Sequence, residues 1–202
     1  MSIYWKTERD LTPHSLERAA RSVLEETGHL FYDGDGRPCY VTPVNLKKIL
    51  KEYNITVATD PDINTSHGAY SFAIDERRYI MLPPKYSLDD LTPHAEEIAA
   101  HIGFHEFFHD TERPITRDRN MESLDKCRYE ESLRRAFSAM RLFARYLLVP
   151  IELAASSDTP DKLAKSCNVP LEMAAAAFWD FKDAYSRAKA RYAEETAETS
   201  QA

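Results

Sequence analysis

Strand-forming sequence is confined to one stretch of this chain, and that confinement decides most of its architecture. Ile55-Thr56-Val57 is β-branched, Ala69 to Ile74 alternates, and Arg78 to Leu82 follows across a short polar turn at Asp75-Glu76. These segments predict a small sheet with one hairpin, ended by Pro83-Pro84. Ahead of it, Leu16, Ala19, Ala20, Val23 and Leu24 recur at helical spacing after Pro13, and Gly28 stops that helix. A second short helix is expected from Pro43, with Leu46, Ile49, Leu50 and Tyr53 on one side. Beyond the sheet everything is helical: His94 to about Asp110, Arg128 to Val149, a helix from near Thr159, and a last one from about Pro170 towards Tyr192. Helices, a small sheet, then helices make an α+β fold that is mostly helical, with its sheet in the N-terminal half. A chain of 202 residues suits one domain. It is expected to span 1–192, with a helical C-terminal part from about 151 and a polar, disordered tail at 193–202.

Composition removes several classes of function. Five glycines leave no G-x-G-x-x-G and no Walker A loop. A formal charge of −7 opposes binding to a phosphate backbone, which needs a basic face. Cys39, Cys127 and Cys167 are odd in number and far apart, so reduced thiols are expected, not a disulfide framework. The loop at Asp33-Gly34-Asp35-Gly36 is acidic but lacks the ligand ladder and terminal Glu of a calcium loop. No secretory signal opens the chain, and no run approaches the ~18 apolar residues of a membrane span. A soluble, cytoplasmic protein with no membrane contact is the expectation.

Chemistry concentrates in His105-Glu106-Phe107-Phe108-His109. Histidines four apart share one helical face, so His105 and His109 can reach a single metal ion. Glu106 follows the first of them and can lean towards a water on that metal. This is the H-E-x-x-H arrangement, in which zinc lowers the pKa of water to ~7 and the Glu takes its proton. Zn2+ is therefore the expected cofactor, His105 and His109 its ligands, and Glu106 the general base. His101 extends the stripe upstream, but Glu106 serves only the lower pair, so His101 reads as a supporting or partly exposed residue. His94, beside Pro93, reads as a capping or surface residue. A third protein ligand is needed to leave one position open. Glu130 and Glu131 lie 21 and 22 positions beyond His109, at the start of the next helix; Asp118, Glu122 and Asp125 are weaker choices in a polar loop.

Three pieces in order resemble the ImmA/IrrE family of zinc-dependent endopeptidases. His105 to His109 is similar to the family's zinc helix. Phe143-Ala144-Arg145-Tyr146-Leu147-Leu148-Val149-Pro150 resembles its F-A-x-x-L-L-M-P segment. Leu163-Ala164-Lys165, Asn168-Val169-Pro170 and Met173-Ala174 resemble the helix-turn-helix-like tail that follows. The resemblance covers roughly residues 40 to 180. It implies a cytoplasmic protease, often of phages, mobile elements or stress loci, that acts on a helix-turn-helix transcriptional repressor. Two departures stand out. Phe108 occupies the position where the family usually has Gly. Its third ligand, a Glu shortly before F-A-x-x-L-L-M-P, falls near Phe137 to Ala139, where this chain has no acid. Glu131 is the preferred substitute: at ~100° per residue it lies about 80° from the direction of position 139, and Glu130 about 180°. The alternative is a catalytically impaired relative that regulates a repressor or other partner by binding. Direct nucleic-acid binding is not expected. The second tail helix offers Glu172, Met173 and a run of alanines, which neither read base edges nor neutralise phosphates.

Overall fold

The structure, a computed structural model, describes residues 11–61, 69–74, 77–107, 123–183 and 185; within helix 123–148 the side chains described are those of 131 and of 134 onwards. Helix α1 (Pro13–Glu26) starts at Thr12, whose side chain accepts from Ser15 N–H at 3.3 Å. Its stripe of Leu16, Ala19, Ala20, Val23 and Leu24 is buried as the periodicity requires. Gly28, at φ +66°, turns the chain away from the helix end. The acidic loop then proves to be the turn of a two-stranded hairpin, β1 (Leu30–Tyr32) against β2 (Pro38–Tyr40). Asp33 builds that turn by accepting from the amides of Asp35 and Arg37. Strands of three residues are too short to show alternation, so sequence periodicity missed them.

Helix α2 (Leu46–Glu52) begins three residues later than expected, because Asn45 supplies its cap by accepting from Lys48 N–H. The main sheet has β3 (Ile55–Thr59), β4 (Tyr70–Ile74) and β5 (Arg77–Leu82) in the order β3-β5-β4. The expected hairpin is β4-β5, antiparallel, and β3 joins the other side of β5 in parallel. Tyr70, Phe72 and Tyr79 stack in a ladder on one face, with ring centroids 5.8 and 5.0 Å apart. Ser71, Arg78, Ile80 and Leu82 have the opposite parity and point towards the next helix.

That helix, α3 (Ala95–Phe107), follows a 3₁₀ turn at Thr92–His94. It lies between the sheet and the long α4 (Ser123–Leu148), which starts five residues earlier than expected. Gly103 permits the close approach of α3 to α4. A Cβ there would stand 2.7 Å from Phe143 Cδ1 and 2.9 Å from Met140 Sδ. Phe104 on Phe137 and Phe107 on Phe143, both edge to face, continue the seam. Helix α1 packs against another flank of α4.

Pro150 opens an unanticipated short helix, α5 (Ile151–Ser156). Its Glu152 accepts from Arg21 at 2.5 Å and from the Tyr40 hydroxyl at 2.8 Å, joining α5 to α1 and β2. Helix α6 (Pro160–Cys167) starts on the Thr159 cap and ends at Asn168 in the left-handed region. Helix α7 (171–183) buries Met173, Ala174, Ala177, Phe178 and Phe181 but leaves Trp179 66% exposed. The fold is α+β, with one three-stranded and one two-stranded sheet among mostly helical residues. Among the described residues, no helix is long and apolar enough to cross a membrane. The tail at 193–202 lies outside them.

Candidate metal and catalytic site on helix α3

Ten of the thirteen residues of α3 are buried, and the other three are all glutamates: Glu96, Glu97 and Glu106. A helix that is apolar nearly all round belongs in a core, so polar groups on its buried faces require partners. They have them. Glu97, His101 and His105 stand four residues apart on the face turned to the sheet. Glu97 Oε1 accepts from Ala69 N–H at 2.8 Å. His101 Nδ1 is 3.1 Å from Ser71 Oγ, and the same ring is hydrogen-bonded to the Ala69 main chain. His105 Nε2 donates to the Tyr79 carbonyl at 3.2 Å. On the adjoining flank, Glu106 is 3.7 Å from the Arg78 guanidinium, with its side chain 17% exposed.

Burial keeps both imidazoles neutral. It pushes His101 down to about 3, with neighbouring His105 adding to the effect. It pushes His105 down to about 4, against the pull of the Tyr79 carbonyl and with help from Arg78. His105 fits a metal ligand chemically. One ring nitrogen is oriented by a carbonyl, the arrangement typical of ligating histidines, and the neutral ring keeps a lone pair on the other. His101 is buried against β4, so the expectation that it is partly exposed does not hold. His94, half-buried at the end of the 3₁₀ turn, stacks its ring on Tyr86 at a centroid distance of 3.7 Å.

His109 lies outside the described residues, as do Asp118, Glu122 and the side chains of Asp125 and Glu130. Glu131 is described: its exposed carboxylate accepts from Arg135 at 2.5 Å, and the residue lines a groove with Leu11 and with Pro13 and Leu16 of α1. The choice of Glu131 took position 139 as the direction of the site, but Ala139 lines that same α1 groove. The flank of α4 turned to α3 is the one carrying Phe137, Met140 and Phe143. Among the described residues, no group of three or more His, Cys, Asp or Glu could hold a metal ion.

Sequence reasoning did not find Ser71, Arg78 or Tyr79, the sheet residues that answer the α3 stripe. The spacing of His101 and His105 was read from sequence, but Glu97 at the head of the same stripe was not, and which strand atoms meet that stripe depends on long-range packing. No family model matches the chain, and no curated protein matches it. Among solved structures it is similar to a Mycobacterium tuberculosis transcriptional regulator, at 16% identity and a TM-score of 0.48. The match covers 80% of this chain and 45% of that one, so this chain spans less than half the length of its structural neighbour.

Proposed function

We propose that this protein is a zinc-dependent endopeptidase of the H-E-x-x-H type that acts on a regulatory protein such as a helix-turn-helix repressor. One observation carries the reading: His105 is buried, neutral and oriented through one ring nitrogen by Tyr79, with Glu106 next to it on a less buried flank. For the second imidazole the reading takes His109, four positions on in the sequence. Zinc held by these residues would supply Lewis acidity towards a scissile carbonyl.

The chain's own groups do the rest. Glu106 takes a proton from the attacking water at its carboxylate and returns it to the departing amine. Arg78 lies within 4 Å and restrains that carboxylate near the β5 edge of the site. For the third ligand, Glu131 was the expectation from sequence; its exposed carboxylate is paired with Arg135. Position 130 has the better register: it precedes Phe137 by seven residues, two turns, and so shares the helical flank turned to α3.

A second reading has its own observation. With Glu131 on the α1 side of α4, the chain suits a relative that regulates its partner by binding without cleaving it. Elemental analysis of protein reconstituted with zinc and desalted separates the two. One zinc per chain is expected, lost in His105→Ala and His109→Ala and retained in Glu106→Gln, which no longer cleaves the partner. Side-by-side zinc titration of Glu130→Gln and Glu131→Gln identifies the third ligand. A folded wild-type protein without zinc refutes the enzyme and leaves the binding reading.

A further inference from the structure

Ten of the thirteen residues of α3 are buried, so hydrophobicity alone specifies its rotation only loosely. Gly103 turns one side of it to α4, where a Cβ would meet Phe143 and Met140. On the sheet side the rotation is refined by the polar groups, because a misrotated helix leaves buried donors and acceptors unpaired and carries their full desolvation penalty. Of these groups Glu97 is only half-buried and near the helix start, where it accepts from Ala69 N–H and from the Tyr86 hydroxyl. His105 makes a single bond, to β5. His101 stands between them, 3% exposed, and is held by Ser71 Oγ of β4 and by the main chain of Ala69, the residue before that strand.

We propose that His101 is a positioning residue: clamped by Ser71 and Ala69, it refines the rotation of α3 and so aims the ring of His105 one turn further on. The proposal rests on the metal-site reading for its functional consequence, but the aiming itself is a property of the metal-free protein. His101 and His105 grip different strands of one hairpin, β4 and β5. Together they refine both the rotation of the helix and its advance along the sheet. With the His101 grip gone, the groups left on this stripe are Glu97 at the helix start and the single bond from His105 to Tyr79, so the His105 ring is less firmly aimed.

Nitrogen-15 spectra of the imidazoles in metal-free protein test the aiming directly. In the wild type, His105 should appear as a neutral ring with its proton fixed on Nε2. His101→Gln can still bond Ser71 and the Ala69 main chain, and should preserve that tautomer. His101→Leu fills the space without the bonds and should give an averaged or switched tautomer at His105 while circular dichroism remains native. Ser71→Ala should lie between the two, and it decides the matter if the Leu variant does not fold. In zinc titrations, affinity should fall ~10–100-fold in His101→Leu and change at most about threefold in His101→Gln. An unchanged His105 spectrum in folded His101→Leu, or in Ser71→Ala where the Leu variant fails, overturns the proposal. A wild type with a fixed His105 tautomer and no zinc removes the metalloenzyme and leaves the positioning role standing.

Discussion

At His29 both ring nitrogens have partners. Asn45 N–H donates to Nε2 at 3.1 Å. Nδ1 donates to Thr27 Oγ at 2.8 Å, whose own proton goes to the Val23 carbonyl at 2.7 Å. This chain of bonds admits one neutral tautomer. A second proton would set an N–H against the Asn45 amide, donor against donor, in a site only 3% exposed. Burial first, and the nearby Lys48 second, hold His29 below the ordinary histidine value of 6.5. The unfolded chain therefore binds more protons than the native one between the lowered pKa and 6.5. Stability should be complete above 6.5 and decline as the pH falls below it. Each pH unit over which only the unfolded His29 is charged removes about 1.4 kcal/mol. Urea midpoints at pH 7.5 and 5 should show a smaller drop for His29→Gln than for the wild type; an equal drop would assign the pH dependence to other groups. His29 gave no signal in the sequence, because its partners are a helix-end hydroxyl and a loop amide that only the fold assembles.

Among the helices, α3 shows which properties of an element are local and which are not. The H-E-x-x-H spacing and the helix itself were legible, because both are matters of neighbouring residues. The partners of His101 and the flank of α4 facing the site were not, because both are set by docking. Position 139, the reference direction used for Glu131, is an instance: it lines a groove with α1, which only the docked helices reveal. Gly103 belongs to the same class: an unremarked glycine in sequence, and a contact requirement once α4 is in place. Gly103→Ala should raise intrinsic helix propensity by ~1 kcal/mol, yet the added methyl meets Phe143 and Met140 well inside contact distance. Overpacking costs about 1–3 kcal/mol and should dominate. Denaturant midpoints should therefore fall in the variant. An unchanged or raised midpoint would show that the Phe143 ring yields.

For the molecule as a whole, the sequence yielded class and content more readily than topology. Three strands and most helices of the α+β fold were foreseen. The β1-β2 hairpin and α5 were missed because three- and six-residue elements carry too few periods to register. Nor does an alternating pattern state strand order, since β5 reads alike beside one neighbour or between two. Its central place has a consequence for how the domain opens. With β3 on one side and β4 on the other, the backbone of β5 can be released only by undoing both ladders, and Tyr79 adds the bond from α3. Its amides should therefore exchange with deuterium only through global unfolding, whereas those of the peripheral β1-β2 hairpin should exchange through smaller openings. Native-state exchange at increasing urea would reveal the difference. Protection of Ile80 should converge on the equilibrium unfolding free energy, and that of Phe31 should fall short of it. The strand carrying Arg78 and Tyr79 would then be the most persistent part of the protein, holding the candidate centre in shape through every partial opening that precedes complete unfolding.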